Sequence, residues 1–227
     1  MKSIANKLYL FGDSICFGQL VNAHKTWAVN LSHALNQLIN LRDPFIVQNA
    51  GVNGNTTRQA LLRMHYDVIS HRPDFLMIQF GMNDCNYWVD DINLPRVSEK
   101  SFKANLEEMV DRGISVGVKH FFLNTNHPST KGGIPHNKSF SYEKSNSDYN
   151  QVIREAHHEM VKSSKPVTLI DMEEVFNSLI VSSENIILKD LLLEDGIHLS
   201  ENGHEVYIKY LIPIVIDKVK NLLFKHL

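Results

Sequence analysis

Short apolar runs alternate along the chain with longer segments whose apolar positions recur every three or four residues. The runs at 7–11, 45–49, 75–79, 120–124 and 167–170 are rich in Leu, Ile, Val and Phe. Their length and composition predict β-strands. The segments 26–39, 56–70, 101–116, 148–162 and 200–224 carry the helical period and predict helices. Strands alternating with helices predict parallel βαβ units with helices on both faces of one sheet. Right-handed crossovers then favour an α/β, doubly wound sheet of about five strands. Ligands of such sheets bind beyond the carboxyl ends of the strands. Two long polar stretches, 85–100 and 127–147, fall outside these elements, and loops of that length in a compact domain are often functional.

Composition narrows the class. The 227 residues are enough for one sizeable core, and the chain reads as a single domain over 1–227. Apolar residues make up 43% and charged residues 21%, ordinary values for a globular protein. A formal net charge of -2 lacks the basic footprint of a nucleic-acid binder. The apolar run at 8–11 is too short for a signal-peptide core. The C-terminal apolar run is interrupted by Lys209, Asp217, Lys218 and Lys220. It therefore reads as a packed amphipathic helix, bent at Pro213, rather than a membrane span. With only Cys16 and Cys85, no disulfide framework is expected. Reduced thiols and a cytoplasmic protein are the expectation. The 12 histidines include no His-Glu-x-x-His or comparable spacing, and His157 and His158, adjacent on a helix, face different directions. No metal and no cofactor are expected.

Polar residues of a particular kind close the expected strands. Phe11-Gly12-Asp13-Ser14 follows the first, Asn49-Ala50-Gly51-Val52-Asn53-Gly54-Asn55-Thr56 the second, and Gly81-Met82-Asn83-Asp84 the third. Asp195-Gly196-Ile197-His198 precedes the last helix. Taken singly, each reads as a turn, a helix cap or a surface loop. The glycines at 51 and 54 do not make a P-loop, since no Gly-Lys-Ser/Thr follows. Taken together at one rim of the sheet, they have the components of acyl transfer. A serine hydroxyl needs a base within hydrogen-bond reach, and histidine suits that role. Ser14 is the candidate nucleophile and His198 the candidate base. Asp195 would orient the imidazole if the Gly196 turn folds it back. The backbone N–H groups of Ser14 and Gly54 and the Asn83 amide are candidate oxyanion donors.

These four segments resemble the four sequence blocks of the SGNH/GDSL hydrolase superfamily. Asp13-Ser14 matches the Gly-Asp-Ser block, Gly54 the oxyanion glycine, Gly81, Asn83 and Asp84 the Gly-x-Asn-Asp block, and Asp195 and His198 the Asp-x-x-His block. Ile15 stands where many members carry leucine. The resemblance runs from residue 8 to about 204. It implies a three-layer α/β/α sandwich of flavodoxin type and metal-free ester hydrolysis through an acyl-enzyme at Ser14.

Substrate is less legible. Asn86, Tyr87, Trp88 and His127, in the two long polar stretches, are candidate substrate contacts. An aromatic face beside hydrogen-bonding groups suits a sugar ring, although Tyr87 and Trp88 could equally anchor their loop. The expectation is a short-chain, O-acetyl esterase acting on a carbohydrate or other small ester. Alternatives are a broad carboxylesterase, thioesterase or lysophospholipase, an acyltransferase, or a non-catalytic carbohydrate-binding module. The oligomeric state is not legible in the sequence.

Overall fold

The computed structural model describes residues 5–37, 44–132, 140–183 and 185–223. Five parallel strands form the central sheet: β1 (Asn6–Gly12), β2 (Phe45–Gly51), β3 (Phe75–Gln79), β6 (His120–Asn124) and β7 (Val167–Ile170). Their order is β2-β1-β3-β6-β7, so the winding reverses at β1, between β2 and β3. A two-stranded antiparallel hairpin, β4 (Tyr87–Trp88) and β5 (Asp91–Pro95), stands apart from the sheet. The helices are α1 (Ser14–Phe17), α2 (Trp27–Asn36), α3 (Thr57–Asp67), α4 (Glu99–Ser115), α5 (Tyr142–Lys162), α6 (Met172–Ser182) and α7 (Glu201–Leu223).

Period-two alternation divides each strand between two cores. Leu8, Leu10, Phe75, Met77 and Phe122 point to the side covered by α2, α6 and α7, with Trp27, Phe176 and Tyr207. Tyr9, Phe11, Leu76, Ile78, Phe121 and Leu123 point to the side covered by α3, α4 and α5, with Met64, Phe102 and Ile153. Strands β1, β3 and β6 are thus apolar on both faces because both faces are covered. The result is a three-layer α/β/α sandwich.

All five sheet strands coincide with the expected runs, give or take one or two residues. The helices shift more. The expected 26–39 helix ends at Asn36, and residues 38 and 39 lie outside the described residues, as does 224. The helix expected from 148 begins six residues earlier, where the Ser141 hydroxyl accepts from the Lys144 N–H. Helix α6 and the β4–β5 hairpin were not among the expected elements. The last helix continues through Pro213. No helix among the described residues is long and apolar enough to cross a membrane.

Candidate active site

Ser14 reaches the rim by an abrupt strand-to-helix turn. Strand β1 ends at Gly12, and Asp13 caps the short α1 by accepting from the Ile15 N–H at 3.0 Å. Gly18, at φ 81°, ends that helix and returns its N–H to the Ser14 carbonyl. The turn leaves Ser14 only 6% exposed.

His198 meets it from the other end of the chain. Its Nε2 lies 2.9 Å from Ser14 Oγ, and its Nδ1 lies 2.5 Å from Asp195 Oδ2. The second Asp195 oxygen accepts the backbone N–H groups of Ile197 and His198, both at 2.9 Å. Gly196 permits this fold-back with φ 71°, a left-handed conformation that favours glycine. The tautomer follows from the partners. An ionised carboxylate only accepts, so Nδ1 carries the proton and Nε2 presents its lone pair to the Ser14 hydroxyl. Burial pushes the Asp195 pKa up, but the hydrogen bonds from His198 and from the Ile197 N–H outweigh it and hold the carboxyl below its ordinary range.

The second and third blocks are tied to the first by backbone and side-chain bonds. The Val52 N–H donates to the Gly12 carbonyl at 3.0 Å. Asn49 accepts from the Gly51 N–H at 2.9 Å and donates to the Cys16 carbonyl at 2.8 Å. Gly54 lies in the exposed turn after β2 at φ 77°. A Cβ there would meet nothing within 4 Å, so its backbone angle rather than space calls for glycine. Asn83 is partly buried and donates from Nδ2 to Asp13 Oδ2 at 3.3 Å. Asp84, fully buried, accepts from both the N–H and the hydroxyl of Thr57 at the start of α3.

Burial pushes the Asp13 pKa up to about 7; the Ile15 N–H and Asn83 amide pull it down, and nearby Asp84 pushes it further up. An unfolded aspartate titrates near ~3.9. Between about 4 and about 7 the folded chain therefore holds a proton at Asp13 that the unfolded chain releases. This site's contribution to stability falls as pH rises through that window. Asp13→Asn removes the dependence. Urea unfolding should show the variant gaining on the parent by about 1–4 kcal/mol between pH 4.5 and pH 7.5. An equal difference at both pH values would contradict the assignment.

The candidate substrate contacts separate on inspection. Asn86 and Tyr87 are partly buried and serve the hairpin: Asn86 accepts from the Tyr87 and Arg96 N–H groups, and the Tyr87 ring meets Phe140. Trp88 is 52% exposed, with the Arg96 guanidinium 4.1 Å from its ring centre. His127 lies differently from the expectation. It is 0% exposed and both ring nitrogens are engaged inside the protein. The chain after β6 turns inward beneath the 195–198 loop, and this buries the ring.

Several residues that hold the site went unnoticed in the sequence. Arg63 on α3 spans the first two blocks, donating to the Gly12 and Ala50 carbonyls and to Asn55. His204 is buried beside Ser14, its Nδ1 accepting from the Trp27 N–H at 3.2 Å. An arginine seven residues before the expected end of a helix, or a histidine early in the last one, carries no local signal of such a role. Cys16 and Cys85 are buried thiols, and burial raises the pKa of each. Among the described residues, no three His, Cys, Asp or Glu side chains are placed to hold a metal ion.

Comparison with known proteins supplies the family. The model of the GDSL-like lipase/acylhydrolase family matches residues 10–206. Among curated proteins, an acetylxylan esterase of Geobacillus stearothermophilus is 31% identical over 121 residues, covering 46% of this chain and 52% of that protein. An uncharacterized lipoprotein, YqeF, of Bacillus subtilis is 29% identical over 118 residues, 50% and 48% of the two chains. An arylesterase of Vibrio mimicus is 32% identical over 106 residues, 47% and 48%. These matches span about half the length of each relative. Among solved structures, the acetylxylan esterase Axe2 of Geobacillus stearothermophilus superposes with a TM-score of 0.72 at 22% identity, over 94% of this chain and 95% of that one. A lipase/acylhydrolase of Enterococcus faecalis gives 0.71 at 23% identity, over 94% and 96%. At such identity the superpositions speak for the fold. The family model spans most of the chain, and the chain belongs to the GDSL-like lipase/acylhydrolase family.

Proposed function

We propose that the chain is one hydrolase domain, a serine esterase that cleaves short acyl esters, O-acetyl groups on a carbohydrate foremost, through an acyl-enzyme at Ser14. One observation carries the reading: a histidine 2.9 Å from a serine hydroxyl, itself 2.5 Å from a carboxylate. In the first half-reaction, Ser14 Oγ bonds the ester carbonyl carbon as its proton passes to His198 Nε2. The tetrahedral intermediate places its oxyanion among the N–H groups of Ser14 and Gly54 and the Asn83 amide. Asn83 Nδ2 has two hydrogens; the one bonded to Asp13 fixes the amide and leaves the other for the oxyanion. Collapse expels the alcohol, which takes the proton from His198. Water then repeats the sequence, and the acid leaves.

The carbohydrate part of the reading rests on Trp88, an exposed indole held from one side by Arg96. An aromatic face of this kind stacks on a sugar ring and contributes about 1 kcal/mol. Trp88→Ala should therefore lower kcat/KM for an acetylated xylooligosaccharide by about fivefold and for p-nitrophenyl acetate by less than twofold. Equal losses on both would remove Trp88 from substrate binding.

A second reading, an esterase or lysophospholipase for longer acyl chains, is favoured by a different observation. Phe17 and Leu20, just past Ser14, are 53% and 76% exposed, and Leu20 holds a left-handed φ of 66°. The deciding experiment is covalent labelling of Ser14 by a fluorophosphonate, followed by hydrolysis of p-nitrophenyl esters from acetyl to octanoyl. Labelling with a falling series supports the acetyl-esterase reading, and labelling with a rising series the second. An unlabelled, inactive protein would overturn both in favour of a binding module.

A further inference from the structure

A line of polar groups runs through the core from the sheet to the loop carrying His198. Asn124 Nδ2 donates to Gln79 Oε1 at 3.1 Å, and Gln79 Nε2 donates to the Tyr207 hydroxyl at 3.0 Å. Tyr207 lies 3.1 Å from His127 Nδ1, and His127 Nε2 lies 2.8 Å from the Ile197 carbonyl oxygen. All four side chains are fully buried. Only one arrangement of protons satisfies the far end. The Ile197 carbonyl can only accept, so His127 Nε2 carries the proton, and Nδ1 accepts from the Tyr207 O–H.

The line ends on a particular peptide group, the one joining Ile197 to His198. Its carbonyl is held by His127, and its N–H donates to Asp195 Oδ1 at 2.9 Å. Both polar ends of the link that carries His198 are therefore fixed, one by its carboxylate partner and one from inside the core. A packed core does not need such a line. His127 sits between Phe176 and Tyr207, with ring centres 5.3 and 5.9 Å away, where an apolar ring would fill the same space. Burying four polar side chains carries a desolvation cost that their mutual bonds only offset.

We propose that His127 is a positioning residue: through the Ile197 carbonyl it sets the plane of the 197–198 peptide and so aims His198 at Ser14. The proposal rests on the esterase reading of that site. Burial pushes the His127 pKa down to about 4, with the Ile197 carbonyl opposing and His198 and His204 adding to the fall. The ring thus stays neutral near pH 7, in the one donating tautomer.

The test compares His127→Phe, His127→Gln and Tyr207→Phe with the parent. Phenylalanine keeps the aromatic packing and removes the donor. Glutamine extends an amide N–H toward the same carbonyl. Tyr207→Phe leaves His127 in place but removes the O–H that donates to its Nδ1. His127→Phe should lower kcat for p-nitrophenyl acetate about 10- to 100-fold, the scale of a displaced catalytic group, with KM within twofold. His127→Gln should recover most of the loss, and Tyr207→Phe should fall between. The independent readout is the downfield proton resonance of His198 Nδ1–H, assigned by its disappearance in His198→Ala. It should be sharp in the parent, broadened in His127→Phe and restored in His127→Gln. Parent-like kcat and resonance in folded His127→Phe would overturn the proposal, as would equal losses for phenylalanine and glutamine. If His127→Phe does not fold, Tyr207→Phe decides: parent-like kcat and resonance overturn the proposal, and a selective loss of kcat supports it. An inactive parent with the same pattern of resonances would refute the esterase reading while leaving the positioning role standing.

Discussion

Ser14→Ala should lower turnover of p-nitrophenyl acetate by about a million-fold, the scale seen when a serine nucleophile is removed from a site that acts as a unit. The melting temperature should stay within about 3 °C, because the change deletes one oxygen and adds no volume. The fold at this point does not depend on the hydroxyl. The strand-to-helix turn is held by the Asp13 cap, the Gly18 return and the Val52 bond to Gly12. What the hydroxyl uniquely does is meet His198 Nε2 at 2.9 Å. Its removal leaves that nitrogen beside a partly open rim. A hydrogen bond lost where water can enter costs about 1 kcal/mol or less. The discriminating measurement pairs the ester assay with thermal unfolding. Near-parental activity in a folded variant would remove Ser14 from the chemistry.

The sheet was legible because its central strands, β1, β3 and β6, are covered on both faces. Burial on both sides turns a strand into an unbroken apolar run, and such runs are read directly from the chain. Helix α5 shows where this reading fails. Its first two turns bury Tyr142, Ser145, Asn146, Tyr149 and Asn150, so the face that looks polar is the buried one. Those side chains bind main-chain groups of the loops around the site: Ser145 donates to the Cys85 carbonyl and Asn146 to the His127 carbonyl. A hydrophobic period cannot report a buried face made of hydrogen bonds. Helix α6 is the opposite case. Met172, Val175, Phe176 and Leu179 do repeat at helical spacing behind an Asp171 cap, a signal that was present and passed over.

The components of the site divide along the same line. Ser14, Asn83, Asp195 and His198 were legible as candidates because the proposed chemistry needs particular residues in short blocks. His127 was noticed for its chemistry and given the wrong surroundings, since burial beneath a loop 70 residues away is not written locally. Arg63 and His204 act through contacts with distant segments, and nothing in their neighbours marks them. Short-range pattern thus exposes reacting groups more readily than the groups that hold them in place.

His198→Ala and Asp195→Ala should not be equal. With the imidazole gone, no other side chain is bonded to the Ser14 hydroxyl among the described residues, and the rate should fall to within about tenfold of Ser14→Ala. In the proposed mechanism Asp195 does not receive the serine proton; it fixes the tautomer and supports the imidazolium as it forms. Its loss should cost about ten-thousand-fold, leaving a measurable rate. Asp195→Asn separates those two duties. The side-chain oxygen of the amide can still accept from the Ile197 and His198 N–H groups, as Oδ1 does now. Its NH2 then faces His198 Nδ1 in place of the carboxylate oxygen at 2.5 Å. An N–H cannot face another N–H, so the ring is driven to the tautomer protonated at Nε2, which cannot take the Ser14 proton. The loop should remain folded and the rate should be as low as in Asp195→Ala or lower. Steady-state rates of the three variants, with circular dichroism as the folding control, check the order. A near-parental rate for Asp195→Asn would mean that the carboxylate does not set the tautomer. An Asp195→Ala protein without activity beside a His198→Ala protein that keeps most of its rate would reverse the roles of the two residues.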